Sequence, residues 1–296
     1  MSVPAAYLAV IAIWSTTPIS IKWSSEGLSF ISGVTMRMLI GAVICVALVT
    51  LFRVALPWHR QALQAYVAGS LAVFAGMLSV YWGAQYINSG LVALIFGLSP
   101  LATTLIAVVM GTEVRPGPVK LLGVVTAIGG LLCIVSLGGN SLSSGGENVL
   151  LGMLAVFISM IFHSVSTVWV KQVNNGLSAL TMTTGSLLVS VPMYLLVWWL
   201  IDGAIPQDMP IRAVSSIIYL GIFGSVLGYM FYFYTLRHVS ASNVALITLV
   251  TPVTALLIGQ AFNGEQVTAT VWFGTALIIL GLTLNQWESR FRLKPV

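Results

Sequence analysis

The chain has 296 residues, of which 58% are hydrophobic and only 6% charged, against roughly 25% charged in ordinary soluble domains; such a surface cannot all face water, so an integral membrane protein is expected. Barrel strands would alternate polar and apolar residues over about 10 positions, whereas these segments are longer and apolar all round, so the spans are helices. The net charge of +5 comes from twelve Lys and Arg scattered between hydrophobic runs, with no basic cluster interleaved with aromatics, which excludes nucleic acid and leaves the lipid bilayer as partner.

Apolar runs between polar or Gly/Pro breaks predict helices over 5–22, 31–51, 63–86, 90–110 and 119–137. After a Gly/Ser/Asn-rich break at 138–148, further helices are predicted over 149–171, 178–200, 212–236, 242–262 and 268–286. The expected fold class is all-α integral membrane, with ten transmembrane helices. No basic region precedes the first apolar run, so that run is read as a retained helix. Cys45 and Cys133 fall inside apolar spans without metal-ligand spacing and are read as small buried residues. Neither a metal nor a cofactor is expected.

Basic residues divide unevenly between the two ends of these helices. The end carrying both termini holds Arg53, Arg60, Arg115, Lys120, Lys171, Arg237, Arg290, Arg292 and Lys294, and the other holds Lys22 and Arg212. Short loops rich in Lys and Arg stay in the cytoplasm, so both termini are expected there. Glu26, Glu147, Asp202, Asp208 and Glu265 then face outward, and Arg37 stands apart inside the second helix.

Val92 to Glu113 returns as Val244 to Glu265 with eight of twenty-two positions identical, among them Pro100 with Pro252 and Glu113 with Glu265. Proline and acidic residues are scarce in this chain, so their pairing marks an internal duplication. Gly123 and Gly130 likewise correspond to Gly274 and Gly281. Five helices per copy is an odd number, so the second copy enters the membrane from the opposite side. The expected organisation is therefore two inverted five-helix repeats, residues 1–143 and 144–296, the second ending in a short basic tail. Such repeats are common in secondary transporters, with a site near the midplane between them. Small residues every fourth position, such as Ser99, Thr103 and Ala107 or Thr251, Ala255 and Gly259, are read as packing faces.

The tract Ala93 to Pro100 with Glu113, the tract Ala241 to Pro252 with Glu265, and the opening Trp14 to Pro18 together resemble the drug/metabolite transporter superfamily, in its EamA-type ten-helix branch. The likeness covers nearly the whole chain. The resemblance implies inner-membrane export of amino acids or similar small metabolites, with core helices around a central cavity and helices 5 and 10 more peripheral.

Residue chemistry supplies candidate binding positions. Ser159, His163, Ser166 and Thr167 share one face of the sixth helix, and Trp14, Thr17 and Pro18 share one face of the first. The half-repeat alignment sets Trp14 opposite His163. Two readings of His163 stand: it orients substrate or relays a proton, or it bonds a neighbouring helix through its ring nitrogens. Tyr81, Gln85 and Tyr232 are chosen from the aromatic ends of the third and eighth helices, where an interfacial belt is the competing explanation. Arg37 either snorkels or pairs internally, or else binds a substrate carboxylate. Its counterpart is Ser186. Pro100 and Pro252 are hinge candidates, with static kinks as the alternative.

No Asp or Glu lies deep within a predicted span, which disfavours proton-coupled export of lipophilic cations. A single intramembrane Arg is too little for phosphorylated substrates. An enzyme is disfavoured because the spans hold no paired carboxylates, metal-ligand cluster or nucleophile–base pair. The expectation is a carrier moving a small amino-acid-like metabolite outward by alternating access. Uptake or exchange of another neutral metabolite, a sensor or a lipid-processing protein, and assembly as a homodimer all stay open.

Overall fold

A computed structural model describes residues 2–112, 117–137, 148–173, 176–204, 208–241, 244 and 247–292. Glu113, Arg115, Glu147, the inter-repeat boundary at 143/144 and Lys294 lie outside the described residues. Eight helices are long and apolar enough to cross a membrane among the described residues: α1 (Val3–Trp23), α2 (Phe30–Leu51), α3 (Arg60–Gly83), α4 (Ser89–Val109), α5 (Pro118–Leu137), α6 (Val149–Val173), α7 (Ala179–Ile201) and α8 (Ile211–His238). Two more helices follow, α9 (Ile247–Asn263) and α10 (Ala269–Arg292). No β-sheet occurs among the described residues. The protein is therefore an all-α, many-helix integral membrane fold.

Helix starts follow from local chemistry. Ser29, His59 and Ser178 stand just before α2, α3 and α7, and their side chains accept the backbone N–H groups of Ser32, Ala62 and Thr181. Each cap satisfies one donor that the first helical turn leaves without a partner.

α5 and α10 pack chiefly against each other. Four glycines make that contact: a Cβ on Gly130 would stand 2.6 Å from the Gly274 carbonyl oxygen, and one on Gly274 would stand 2.7 Å from that of Gly130. Gly281 faces Gly123 in the same way. Without side chains the two backbones meet directly, which is how membrane helices gain packing that lipid does not offer. The outer faces of α5 expose Leu121, Leu122, Val125 and Leu132. The remaining helices form the core, where α1 packs on α8 and α9, α6 on α3 and α4, α2 on α7 and α8, and α3 on α7.

Three backbone irregularities interrupt this core. α4 breaks at Leu98 and restarts as Ser99–Val109, with Pro100 in the first turn of the new segment, where its missing N–H costs no helical bond. α3 contains a π-helical turn at Leu71–Gly76, and α8 a longer one at Leu220–Leu227. A π turn carries an extra residue and disturbs the regular hydrogen-bond ladder, so its groups need partners from elsewhere.

Helix ends are tied across the chain. Glu265, 8% exposed, accepts the Ser89 N–H at 3.0 Å, the Ser89 hydroxyl at 2.7 Å and the Gly90 N–H at 3.1 Å, so its carboxylate caps α4 from a distant segment. Lys22 donates to the carbonyls of Ala84 at 3.3 Å and Ile87 at 2.8 Å, just past the end of α3. On the same end of the bundle Trp23 donates to Asn263, Asn263 donates to Glu265, and Arg212 grips Glu26 with two bonds. At the opposite end Lys171 donates to the carbonyls of Leu236 and Val239, each at 2.8 Å. Asp202, at the end of α7, accepts hydroxyl bonds from Ser29 and Ser32, and these hold its carboxyl below the ordinary aspartate range.

Candidate functional site

A cavity opens between helices of both halves of the chain. α1 contributes Trp14, Thr17, Pro18 and Ile21, and α2 contributes Arg37. α3 and α4 add Met77, Val80, Val92, Ala93 and Phe96. The second half supplies His163 from α6, Gly224 and Tyr229 from α8, and Thr251 from α9. The wall is mainly apolar and aromatic, with a few polar groups, the composition typical of small-molecule sites. Among the described residues none of the lining side chains is acidic.

Arg37 is 2% exposed, so its side chain stays inside the protein and does not snorkel. Its Nε donates to the Ser225 hydroxyl at 2.9 Å, and Nη1 reaches the Tyr81 hydroxyl at 3.5 Å. A guanidinium has five N–H donors, of which these two bonds use two, and Arg37 lines the cavity. Among the described residues no carboxylate lies in salt-bridge range of Arg37; the ion pair found there joins Arg212 and Glu26. The expectation of an internal ion pair is therefore not met among the described residues. Gly224 explains how the head group fits: a Cβ there would stand 2.8 Å from Nη2, so the absence of a side chain opens the space that the guanidinium fills. The π turn of α8 delivers Gly224 and Ser225 together to this spot. Tyr229 follows one turn later and is 2% exposed, yet its hydroxyl finds no hydrogen-bond partner.

Across the cavity the aromatic side chains form one stack of edges. Trp14 meets the His163 ring edge-on with centroids 5.3 Å apart, and Tyr232 lies 5.3 Å from Trp14 and 5.4 Å from His163. Phe96 completes the group at 6.1 Å from His163. The Tyr232 hydroxyl is bonded to Thr167 at 2.5 Å, which fixes the ring behind Trp14. His163 is 7% exposed, and what remains exposed borders the cavity. The sixth-helix stripe spends its other polar members on α3: Ser159 donates to the Gly76 carbonyl at 2.7 Å and Ser166 to that of Ala68 at 2.6 Å.

Of the residues singled out in the sequence, Trp14, Thr17, Arg37 and His163 line one cavity. Tyr81 and Tyr232 stand directly behind the lining, bonded to Arg37 and Thr167. Ser166 serves the α3 backbone and does not face the cavity. Gln85 is exposed and its amide donates to the Trp82 carbonyl at 3.0 Å, away from the cavity, because α3 has already ended at Gly83. Pro252 lies inside α9 beside Thr251, whereas Pro100 follows the break in α4. Tyr229, Ser225, Gly224, Phe96 and Thr251 were not picked as site residues. Thr251 belongs to a small-residue face that reads as packing, and Phe96 lies in the Ala93–Pro100 tract that carries the family resemblance. The described residues hold no group of three or more His, Cys, Asp or Glu placed to bind a metal.

Comparison with known proteins gives a consistent result. The model of the EamA-like transporter family matches residues 3–136 and 150–286. The chain is 23% identical to the uncharacterized transporter YoaV of Bacillus subtilis, over 94% of both chains. It is 25% identical to the uncharacterized inner membrane transporter YedA of Escherichia coli, over 98% of this chain and 93% of that one. An uncharacterized transporter of Archaeoglobus fulgidus is 23% identical, over 92% and 94% of the two chains. A solved crystal structure shares the fold at a TM-score of 0.71 with 16% identity, over 99% of each chain. With the family model accounting for most of both halves, and with a bundle of apolar helices enclosing a small-molecule cavity, this chain belongs to the EamA-like transporter family of the drug/metabolite transporter superfamily and is a polytopic membrane transporter.

Proposed function

We propose that this chain is an inner-membrane secondary transporter of ten membrane-spanning helices in two inverted five-helix repeats, and that it exports amino acids or related small metabolites by alternating access. The observation that carries the reading is Arg37, a buried cation with spare donors on an otherwise uncharged cavity wall built from both halves. A fixed positive charge held in low dielectric attracts a ligand carboxylate far more strongly than it would in water.

Several features support the repeat arrangement. The helix contacts exchange consistently between halves: α1 on α8 and α9 is mirrored by α6 on α3 and α4, and α2 on α8 by α7 on α3. Lys22 binds carbonyls 84 and 87 while Lys171 binds 236 and 239, the same interval that separates the two copies of the proline tract. These two lysines stand at opposite ends of the bundle, as inversion requires. The family model also matches the chain in two segments of similar length. Lys and Arg gather at the end carrying both termini, which favours cytoplasmic termini. The name of the Escherichia coli relative favours an inner-membrane location.

In this reading Trp14, Thr17 and His163 contact substrate, with Tyr81 and Tyr232 holding Arg37 and Trp14 in place. The helix break before Pro100 and the proline-containing turn at Pro252 serve as hinges on which the two halves rock. Purified protein in liposomes loaded with single amino acids and related metabolites tests this directly. Accelerated efflux of at least one compound over protein-free liposomes is expected, with His163→Ala slowing it and altering its pH profile. A panel with no accelerated compound overturns the transport assignment, and an unchanged rate and pH profile in His163→Ala removes that residue from the site.

A further inference from the structure

The cavity holds two polar groups that the protein itself leaves under-used. Arg37 has donors to spare, and the Tyr229 hydroxyl has no partner although it is buried. An unsatisfied buried hydroxyl is costly enough to call for an explanation, and so is a desolvated guanidinium without a counter-ion. Ser225, which accepts from Arg37 Nε, stands four residues before Tyr229 on α8, and Arg37, Gly224 and Tyr229 all line the cavity. Both groups offer hydrogens and belong to residues that line one cavity, an arrangement that suits an anion.

The rest of the wall limits what that anion carries. Ile21, Met77, Val80 and Val92 are apolar, and Trp14 and Phe96 present aromatic surface. An inorganic anion would leave this surface idle, and a phosphate's second charge would meet no second cation. No acidic side chain lines the cavity among the described residues, so an ammonium group entering it would lose its hydration without gaining an anionic partner.

We propose that the cavity selects amphiphilic monocarboxylates, gripping the carboxylate between Arg37 and the Tyr229 hydroxyl and seating an apolar body against the aliphatic and aromatic wall, and that it does not read an α-ammonium group. This rests on the transport reading above and narrows it: amino acids enter the class through their carboxylate and side chain. Deaminated carboxylates of the same shape enter it equally.

The test is ligand-induced thermal stabilisation of the full-length protein in detergent, which needs no transport. Two matched series serve as probes: 4-methylpentanoate, leucine and isopentylamine, and 3-phenylpropanoate, phenylalanine and phenethylamine, with sodium chloride and inorganic phosphate as controls. Each carboxylate is expected to stabilise at a concentration at least about tenfold below its amine, and no higher than its amino acid. Amines matching the carboxylates, amino acids binding tenfold tighter than their deaminated partners, chloride or phosphate matching the carboxylates, or no stabilisation by any carboxylate would each overturn the proposal. Tyr229→Phe is expected to keep the ligand-free melting temperature and to weaken carboxylate binding about tenfold. Unchanged carboxylate affinity in that variant would overturn the role of the hydroxyl. Carboxylate binding without flux of any compound would refute the transport reading alone, and flux of amino acids with equal binding of amines would refute the present proposal alone.

Discussion

The π turns of α3 and α8 lie one in each half of the chain, and the protein treats them in opposite ways. Around Leu71–Gly76 the loosened carbonyls are taken up by neighbouring helices: Tyr194 donates to Val73 at 2.7 Å and to Phe74 at 3.1 Å, and Ser159 donates to Gly76. Those hydroxyls are buried and occupied, and the result is a tie between helices. Around Leu220–Leu227 the partner is Arg37, which donates to Ser225 and Tyr81 and lines the cavity, while the Tyr229 hydroxyl just beyond has no partner. One backbone device has thus become a structural joint in the first half and a ligand-facing surface in the second. What separates the two outcomes is whether the polar groups are saturated. A saturated cluster stabilises, and an unsaturated one bordering a cavity is available to something that is not part of the chain.

The largest effect should come from breaking the α8 side. Arg37→Gln removes the cation while keeping a donor for Ser225, and carboxylate binding should fall by about thirtyfold or more, from the ~2–5 kcal/mol typical of losing one partner of a buried charge pair. Its ligand-free melting temperature should stay level or rise, because an uncompensated buried charge has been removed. A drop in both binding and stability would assign Arg37 to the scaffold. Breaking the α3 side should do the reverse. Tyr194→Phe strips the hydroxyl from the Val73 and Phe74 carbonyls and should cost ~1–2 kcal/mol of stability, read by thermal or denaturant unfolding, with carboxylate affinity unchanged. The smallest effect belongs to Asp202, which touches neither π turn. Its depressed pKa contributes stability that is complete above the usual aspartate value and is lost as pH falls through the lower folded value. Asp202→Asn should therefore lower stability slightly at neutral pH, flatten the fall toward acid pH in a thermal-unfolding series against pH, and leave transport unaltered.

Much of the architecture was legible in the sequence because its cause is local. Uninterrupted apolar runs specify helices in lipid, where a backbone has no other way to satisfy its own hydrogen bonds. The glycine pairs 123/130 and 274/281, which share one spacing in the sequence, join α5 to α10. Trp14 and His163, paired by alignment alone, meet at 5.3 Å. The misplaced candidates fail for equally physical reasons. Gln85 lies on an apolar segment by hydropathy, but α3 stops before it. Ser166 belongs to a polar stripe, yet that stripe is divided between the cavity and the backbone of α3. Hydropathy has no term for a π turn, since one extra residue in a helical run changes no average.

The sequence by itself determined that this chain lives in a membrane, that it is helical and that one arginine is out of place among apolar neighbours. These are properties of composition and spacing, and they survive without knowing which helix touches which. Only the tertiary structure decided what surrounds that arginine. Ser225 lies 188 positions away along the chain and Glu265 caps a helix 176 positions before it. Whether a buried polar group is satisfied depends on partners that distant, so the difference between a structural tie and a binding site emerges only when the helices are packed.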